Sequence, residues 1–186
     1  MGLIRAGLAL ICLLPCVAAG AVDGYHHMTA ANTRVTFEVR RLGMRLFSAE
    51  FHQLDGDLQL DPSGQHGTLG VLVNMRSLDC HDSGWNVRLR SPQWLDVEQY
   101  PAMVFHSREI HFEGAGRATV QGELTLHGVT RTMVFTFSDI HCNLSDVSSD
   151  RVCHFFGRAQ IRRSDFKLPH GFWDGGDVVD IVVRGL

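Results

Sequence analysis

The feature that most constrains this chain is a period of two that returns along most of its length. Val35, Phe37 and Val39 alternate with Thr36, Glu38 and Arg40, as in a strand with one face in a core and the other in water. The pattern recurs in Leu69, Val71, Val73 and Met75; in Met103 and Phe105; in Val120, Leu124 and Leu126; and in Met133, Phe135 and Phe137. Leu54 to Leu60, Phe155 to Ile161, and Val179, Ile181 and Val183 bring the expectation to about eight strands. Turn signals separate them, among them Asp61-Pro62-Ser63-Gly64, Glu113-Gly114-Ala115-Gly116 and Gly175-Gly176.

Short strands in hairpin order with little helix predict an all-β fold, a single closed antiparallel eight-stranded barrel, because closure leaves no strand edge unpaired. A barrel of that size either fills itself with side chains or holds one slender ligand. The exception is a helical insert over about 83–98. Ser83 can cap a short helix carrying Trp85, Leu89 and Arg90, Pro92 breaks it, and a further turn carries Trp94 and Leu95.

Residues 1–21 read as a signal peptide. Arg5 supplies the positive start, Leu8 to Leu14 the apolar stretch, and Ala19-Gly20-Ala21 a small-x-small cleavage site. The apolar run is shorter than the roughly 20 residues a membrane-spanning helix needs. Cleavage after Ala21 leaves one domain, residues 22–186, with no linker or internal repeat. Lipidation at Cys16 is the alternative, disfavoured by Pro15 in front of it. Losing Arg5 moves the formal charge from −3 to −4. Such mild acidity argues against a nucleic-acid partner, which demands a concentrated basic surface. Arg40-Arg41 and Arg162-Arg163 are pairs on strand-like segments, expected on a solvated exterior.

Cys12 and Cys16 leave with the signal, so Cys80, Cys142 and Cys153 remain, an odd number in an oxidising compartment. Cys142 and Cys153 flank a polar stretch from Asn143 to Val152 that reads as a loop between strands, so a disulfide across that hairpin is expected, with two free thiols as the alternative. Closing the loop stabilises by about 3 kcal/mol in the chain-entropy model. His26, His27, His106, His111, His127, Asp139 and His141 are candidate metal or acid–base groups, but none has a supporting spacing: His-Glu-x-x-His, Cys-x-x-Cys and Gly-x-Ser-x-Gly are all absent. Neither a Rossmann fingerprint nor a P-loop is present.

Four segments resemble the YceI-like family. They are Leu89-Arg90-Ser91-Pro92-Gln93-Trp94-Leu95-Asp96-Val97-Glu98-Gln99-Tyr100-Pro101 leading into Phe105-His106-Ser107; Gly122 to Thr130, similar to a G-x-L-T-x-x-G-V-T hairpin; Arg163-Ser164-Asp165-Phe166; and Gly176-Asp177-Val178-Val179. The chain departs from the family's pattern at Asn32-Thr33, Arg41, Ala49, Arg88 and Lys167, which weakens any transfer of head-group contacts.

The resemblance implies a lipocalin-like barrel, usually periplasmic, that binds an amphiphile with a long polyisoprenoid or fatty chain, and it does not imply an enzyme. An isoprenoid lipid or quinone would be cargo, with no cofactor. Removing one isoprene unit from water yields roughly 3 to 4 kcal/mol at about 0.8 per methylene, so several units offset the cost of association. The candidate wall is Val35, Phe37, Val39, Phe51, Val71, Val73, Phe105, Leu124, Leu126, Phe135, Phe137, Phe155, Ile161, Val179 and Ile181; for each, ordinary core packing is the competing role. Met133, Phe135 and Phe137 are bulky enough to plug a tunnel. Arg163 and Asp165 form a candidate polar pair, closing the barrel between the last strands or, through Arg163, meeting a head group. A homodimer through Trp85 and Trp94 and a transient inner-membrane protein are the partners such a carrier allows. The competing functions are a structural or interaction barrel with a filled core and, behind it, a metal-binding protein.

Overall fold

The computed structural model describes residues 24–41, 44–61, 66–114, 116–144, 151–170 and 176–185. The signal peptide and Cys16 lie outside the described residues, as does most of the loop read between Cys142 and Cys153. Eleven strands form one antiparallel sheet: β1 (Gly24–Thr29), β2 (Thr33–Arg41), β3 (Met44–Phe51), β4 (Leu54–Leu60), β5 (Gly67–Asn74), β6 (Leu78–Asp79), β7 (Ala102–Gly114), β8 (Arg117–Leu126), β9 (Val129–Leu144), β10 (Arg151–Arg162) and β11 (Val178–Gly185). Their order is β1-β4-β5-β7-β8-β9-β10-β11-β2-β3-β6.

The closed eight-stranded barrel is therefore corrected to an open, curled eleven-stranded sheet. The eight alternating segments became β2, β4, β5 and β7 to β11; the strands that alternation missed are β1, β3 and β6. A tight turn explains the open seam. Asn32 donates its amide N–H to the Thr29 carbonyl at 3.1 Å, its side-chain amide donates to the His27 carbonyl at 2.9 Å, and its Oδ1 accepts from the Thr29 amide at 2.9 Å. The turn hands the chain from one margin of the sheet to the other, so β1 pairs with β4 while β2 pairs with β11 and β3. The edges are then β1 and the two-residue β6.

The curl still buries a continuous apolar core, including Val35, Phe51, Val73, Leu124, Leu126, Ile161 and Ile181. Long meandering strands wrap this core, and the tight β8–β9 turn shows how closely the backbone is packed. His127 and Gly128 both adopt positive φ there, and a Cβ at Gly128 would fall 2.6 Å from the Tyr100 ring, so only glycine fits.

The insert follows its sequence: helix α1 spans Ser83–Arg90 and gives way to turns from Ser91 onward, with Trp94 and Leu95 in them. Its cap is Asp82 rather than Ser83; Asp82 Oδ1 accepts the Trp85 amide at 2.9 Å. Two contacts fasten α1 to β6. Asn86 donates to Asp79 Oδ1 at 2.7 Å while its own Oδ1 accepts the Cys80 amide at 2.9 Å, and Arg90 donates to the Leu78 carbonyl. The Asn86 hydrogen bond, followed by the His81 amide, holds the Asp79 carboxyl at a pKa of about 2. Among the described residues no helix is long and apolar enough to cross a membrane.

Candidate functional site

Alternation along the strands sends one face of each into the curl, and two cavities open there. The first, of about 180 Å3, is walled by β1, β2, β4, β5 and β7 to β11. Val35, Val71, Val73, Phe105, Leu124, Phe135, Phe137, Phe155 and Ile181 all line it. One wall is aromatic: Phe105 meets Phe135 edge-on at 5.0 Å between centroids, and Phe137 stands 6.2 Å from Phe135 and 5.9 Å from Phe155. Phe135 and Phe137 thus flank the space as wall, while Met133 is buried in the core and lines neither cavity.

The second cavity, of about 350 Å3, lies between the sheet and α1. It takes Phe37, Val39, Ile161, Arg163 and Val179 from the predicted set, joined by Phe47, Trp85, Trp94 and Leu168. The two spaces lie end to end along the same strands. On β2 the inward residue Val35 faces the first and the next inward residue, Phe37, faces the second; on β11, Ile181 and Val179 divide the same way. Phe51 and Leu126 line neither. Phe51 packs its ring edge-on against Phe37 at 4.9 Å, so this pair forms part of the partition.

Each cavity receives one distinctive polar side chain. His26 sits on the inward face of β1 and lines the first cavity; its Nε2 is buried without a hydrogen-bond partner among the described residues. Burial, and then the neighbouring His27, lower its pKa below the ordinary 6.5, which favours the neutral ring. On the outer face of β1 the environment reverses: His27 Nδ1 lies 2.9 Å from Asp57, whose carboxylate also accepts the Tyr25 hydroxyl at 2.5 Å, and the His27 pKa is raised by that partner.

Arg163 is buried, only 5% exposed, and lines the second cavity. Its predicted pairing with Asp165 is corrected: Arg163 turns inward in the short 3-10 turn Arg163–Phe166, whereas Asp165 is exposed. The last strands are tied instead through Asp177. Its carboxylate accepts the Ser164 amide at 2.8 Å and hydroxyl at 2.7 Å, its carbonyl accepts the Arg163 amide at 2.7 Å, and its pKa is lowered by the Ser164 contacts. Arg163 itself is held in that turn and lines the second cavity.

Periodicity did not single out His26, Leu46 or Phe47, because β1 and β3 break the alternation; Leu58, Leu69 and Val120 on recognised strands also line the first cavity. No group of three His, Cys, Asp or Glu side chains is arranged to hold a metal among the described residues. The backbone register sets Cys142 directly opposite Cys153.

A curled antiparallel sheet around a greasy interior, with a short helix over one end, defines an all-β class of barrel-like protein. Its family follows from direct comparison. The YceI-like domain model matches residues 26–184, and the chain belongs to that family. Among curated relatives, a UPF0312 protein of Vibrio cholerae serotype O1 is 30% identical over 167 residues, covering 89% of this chain and 87% of the relative. A UPF0312 protein of Shewanella denitrificans is 27% identical over 177 residues, covering 94% and 92%. Among solved structures, Burkholderia cenocepacia BcnA has a TM-score of 0.71 at 22% identity, covering 83% of this chain and 96% of its own. A Saccharophagus degradans domain described as polyisoprenoid-binding and implicated in plant cell wall breakdown has a TM-score of 0.53 at 12% identity, covering 88% and 99%. The fold is thus related to that of a polyisoprenoid-binding domain.

Proposed function

We propose that this protein binds one long-chain lipid of isoprenoid type inside its curled sheet and carries or sequesters it outside the cytoplasm. The observation that carries the reading is the first cavity: strands from nearly the whole sheet contribute an apolar, partly aromatic wall, and His26 Nε2 faces into it without a partner among the described residues. A prenyl tail needs only such a surface, because its binding energy comes from leaving water. The second cavity suits the polar end, with Arg163 placed to meet a phosphate or a quinone oxygen. The family match and the polyisoprenoid-binding relative support the lipid class; binding, not catalysis, is the role this interior serves.

The secretion signal read in residues 1–21 supports a periplasmic location. An oxidising compartment allows Cys142 and Cys153, opposite each other in register, to form the proposed disulfide. Non-reducing peptide mapping should recover them linked; recovery of both as thiols removes the bridge.

The deciding experiment is organic extraction of the protein recovered from its producing cells, followed by mass spectrometry. A prenyl lipid or quinone near one per chain is the expected result. The partition by Phe37 and Phe51 favours a second reading, a filled structural domain. An empty protein that also ignores added isoprenoids would establish that reading in place of the first.

A further inference from the structure

Resting on the lipid-carrier reading, we propose that the rim of the second cavity is a docking surface for an anionic lipid leaflet, from which cargo enters. Large apolar side chains are usually exposed singly. Here several lie on the elements that border the second cavity. Met44 and Leu46 on β3 are 71% and 57% exposed, Trp85 and Val87 on α1 are 42% and 71% exposed, and Val178, next to the wall residue Val179, is 44% exposed. Leu46 and Trp85 belong both to this surface and to the cavity wall, so the apolar rim is continuous with the interior.

Arginines border that rim. Arg40 and Arg45 stand opposite each other in register at the hairpin that carries Met44 and Leu46. Arg88, on the helix side, lies 5.1 Å from the centre of the Trp85 ring and 5.6 Å from that of Trp94. Behind the rim, on the outer face of β2, β10 and β11, two carboxylates organise more of them. Glu38 and Asp180 are cross-strand partners and are almost wholly buried, at 1% and 2% exposure. Arg40 reaches both, at 2.7 and 3.2 Å; Arg158 is 2.6 Å from Asp180, and Arg45 and Arg184 are 3.7 and 3.9 Å from Glu38.

Four guanidinium groups therefore share two carboxylates. The acids are buried beneath them while the arginine side chains remain 42 to 58% exposed, so the face presents net positive charge on a chain whose formal charge is −3. Of the acids nearby, Glu50 is paired with Arg34 at 2.7 Å; Asp79 and Asp82 flank the start of α1.

An apolar edge beside guanidinium groups fits a leaflet of anionic phospholipid. Leu46, Met44, Trp85 and Val87 can enter the acyl boundary while arginines engage phosphates, which their planar donors suit. A second copy fits this face less well, because two-fold contact between identical faces sets like charges against each other.

The test is flotation with vesicles of phosphatidylcholine alone or phosphatidylcholine mixed with phosphatidylglycerol, comparing wild type with Arg45→Gln and with Met44→Asp/Val87→Asp. All carry the same N-terminus, verified by mass spectrometry, so any contribution of residues 1–21 is common to them. Wild type should float with the anionic vesicles only and lose this in high salt. Arg45→Gln should bind about fivefold less tightly, and the double variant should stay unbound while keeping a wild-type circular dichroism spectrum. Equal binding to both vesicle types, or variants that bind like wild type, overturns the proposal. So does a wild type that ignores vesicles but forms a dimer that the double variant breaks. Uptake of detergent-dispersed prenol, measured in parallel, separates the two readings. Prenol uptake without vesicle binding removes only the docking surface; anionic-vesicle binding without prenol uptake supports docking and removes the carrier reading.

Discussion

The two ends of the interior are built from the same strands but for different chemistry. At the first cavity, neighbouring long strands enclose an apolar space whose distinctive polar atom, His26 Nε2, is buried and has no hydrogen-bond partner among the described residues. At the second, α1 and the turn after β10 join the sheet as wall and bring in Arg163, two tryptophans and an exposed rim. A sheet can supply an apolar lining by alternation alone, whereas a charged group in an apolar cavity requires a turn to aim it. The contrast suggests a tail end and a head end, kept apart by Phe37 and Phe51.

Removing the partition should have the largest effect. Phe37→Ala should cost about 3–5 kcal/mol in denaturant unfolding, through lost transfer energy and the cavity left behind. Phe37→Leu keeps most of the volume, and should shift binding toward longer prenyl chains in a competition series. Unchanged chain-length preference would mean that cargo does not cross from one cavity to the other. Reducing the proposed Cys142–Cys153 bridge comes next, with a loss of about 3 kcal/mol of stability and little change in affinity for lipid; loss of lipid binding with stability intact would give that hairpin a role in the site.

Arg163→Met tests the head end. It should weaken retention of a prenyl phosphate about tenfold, the loss expected for one charge-assisted hydrogen bond, and leave a hydrocarbon of the same length unaffected. A large loss of stability with the phosphate still retained would make Arg163 structural. The smallest effect is at His26. Its folded pKa lies below the ordinary 6.5, so the unfolded chain binds the proton more readily; the stability it contributes is present above that value and fades as pH falls through it. His27 has the opposite sign, with a raised pKa and a contribution present at low pH and lost as pH rises. His26→Gln should therefore flatten the acid-side loss in thermal melts as pH falls below the ordinary histidine value, and an unchanged pH profile would place the His26 ring in contact with water.

Much of the wall was legible because alternation states which residues share a face. Val35, Val71, Val73, Phe105, Leu124, Phe135 and Ile181 were read inward for that reason, and they line the first cavity. The same reading failed where the pattern was broken. Strand β1 places two histidines side by side, β3 reads Met-Arg-Leu-Phe-Ser-Ala-Glu-Phe and pairs with β2 through a register shift at Val39 and Arg40 of β2, and β6 has two residues. Missing these three strands turned an open eleven-stranded sheet into an expected barrel of eight.

What the sequence determined by itself was an all-β chain with a greasy inner face and a short helical insert, because side-chain period and helix breakers are local properties. The tertiary structure decided whether the sheet closes, where the interior is partitioned and which way Arg163 points. Those depend on contacts between residues far apart in the chain: the pairing of β1 with β4, the Phe37–Phe51 ring contact, and Asp177 holding Ser164 in the turn from which Arg163 faces inward. A two-residue period records which face is buried and carries no information about the partner across the sheet.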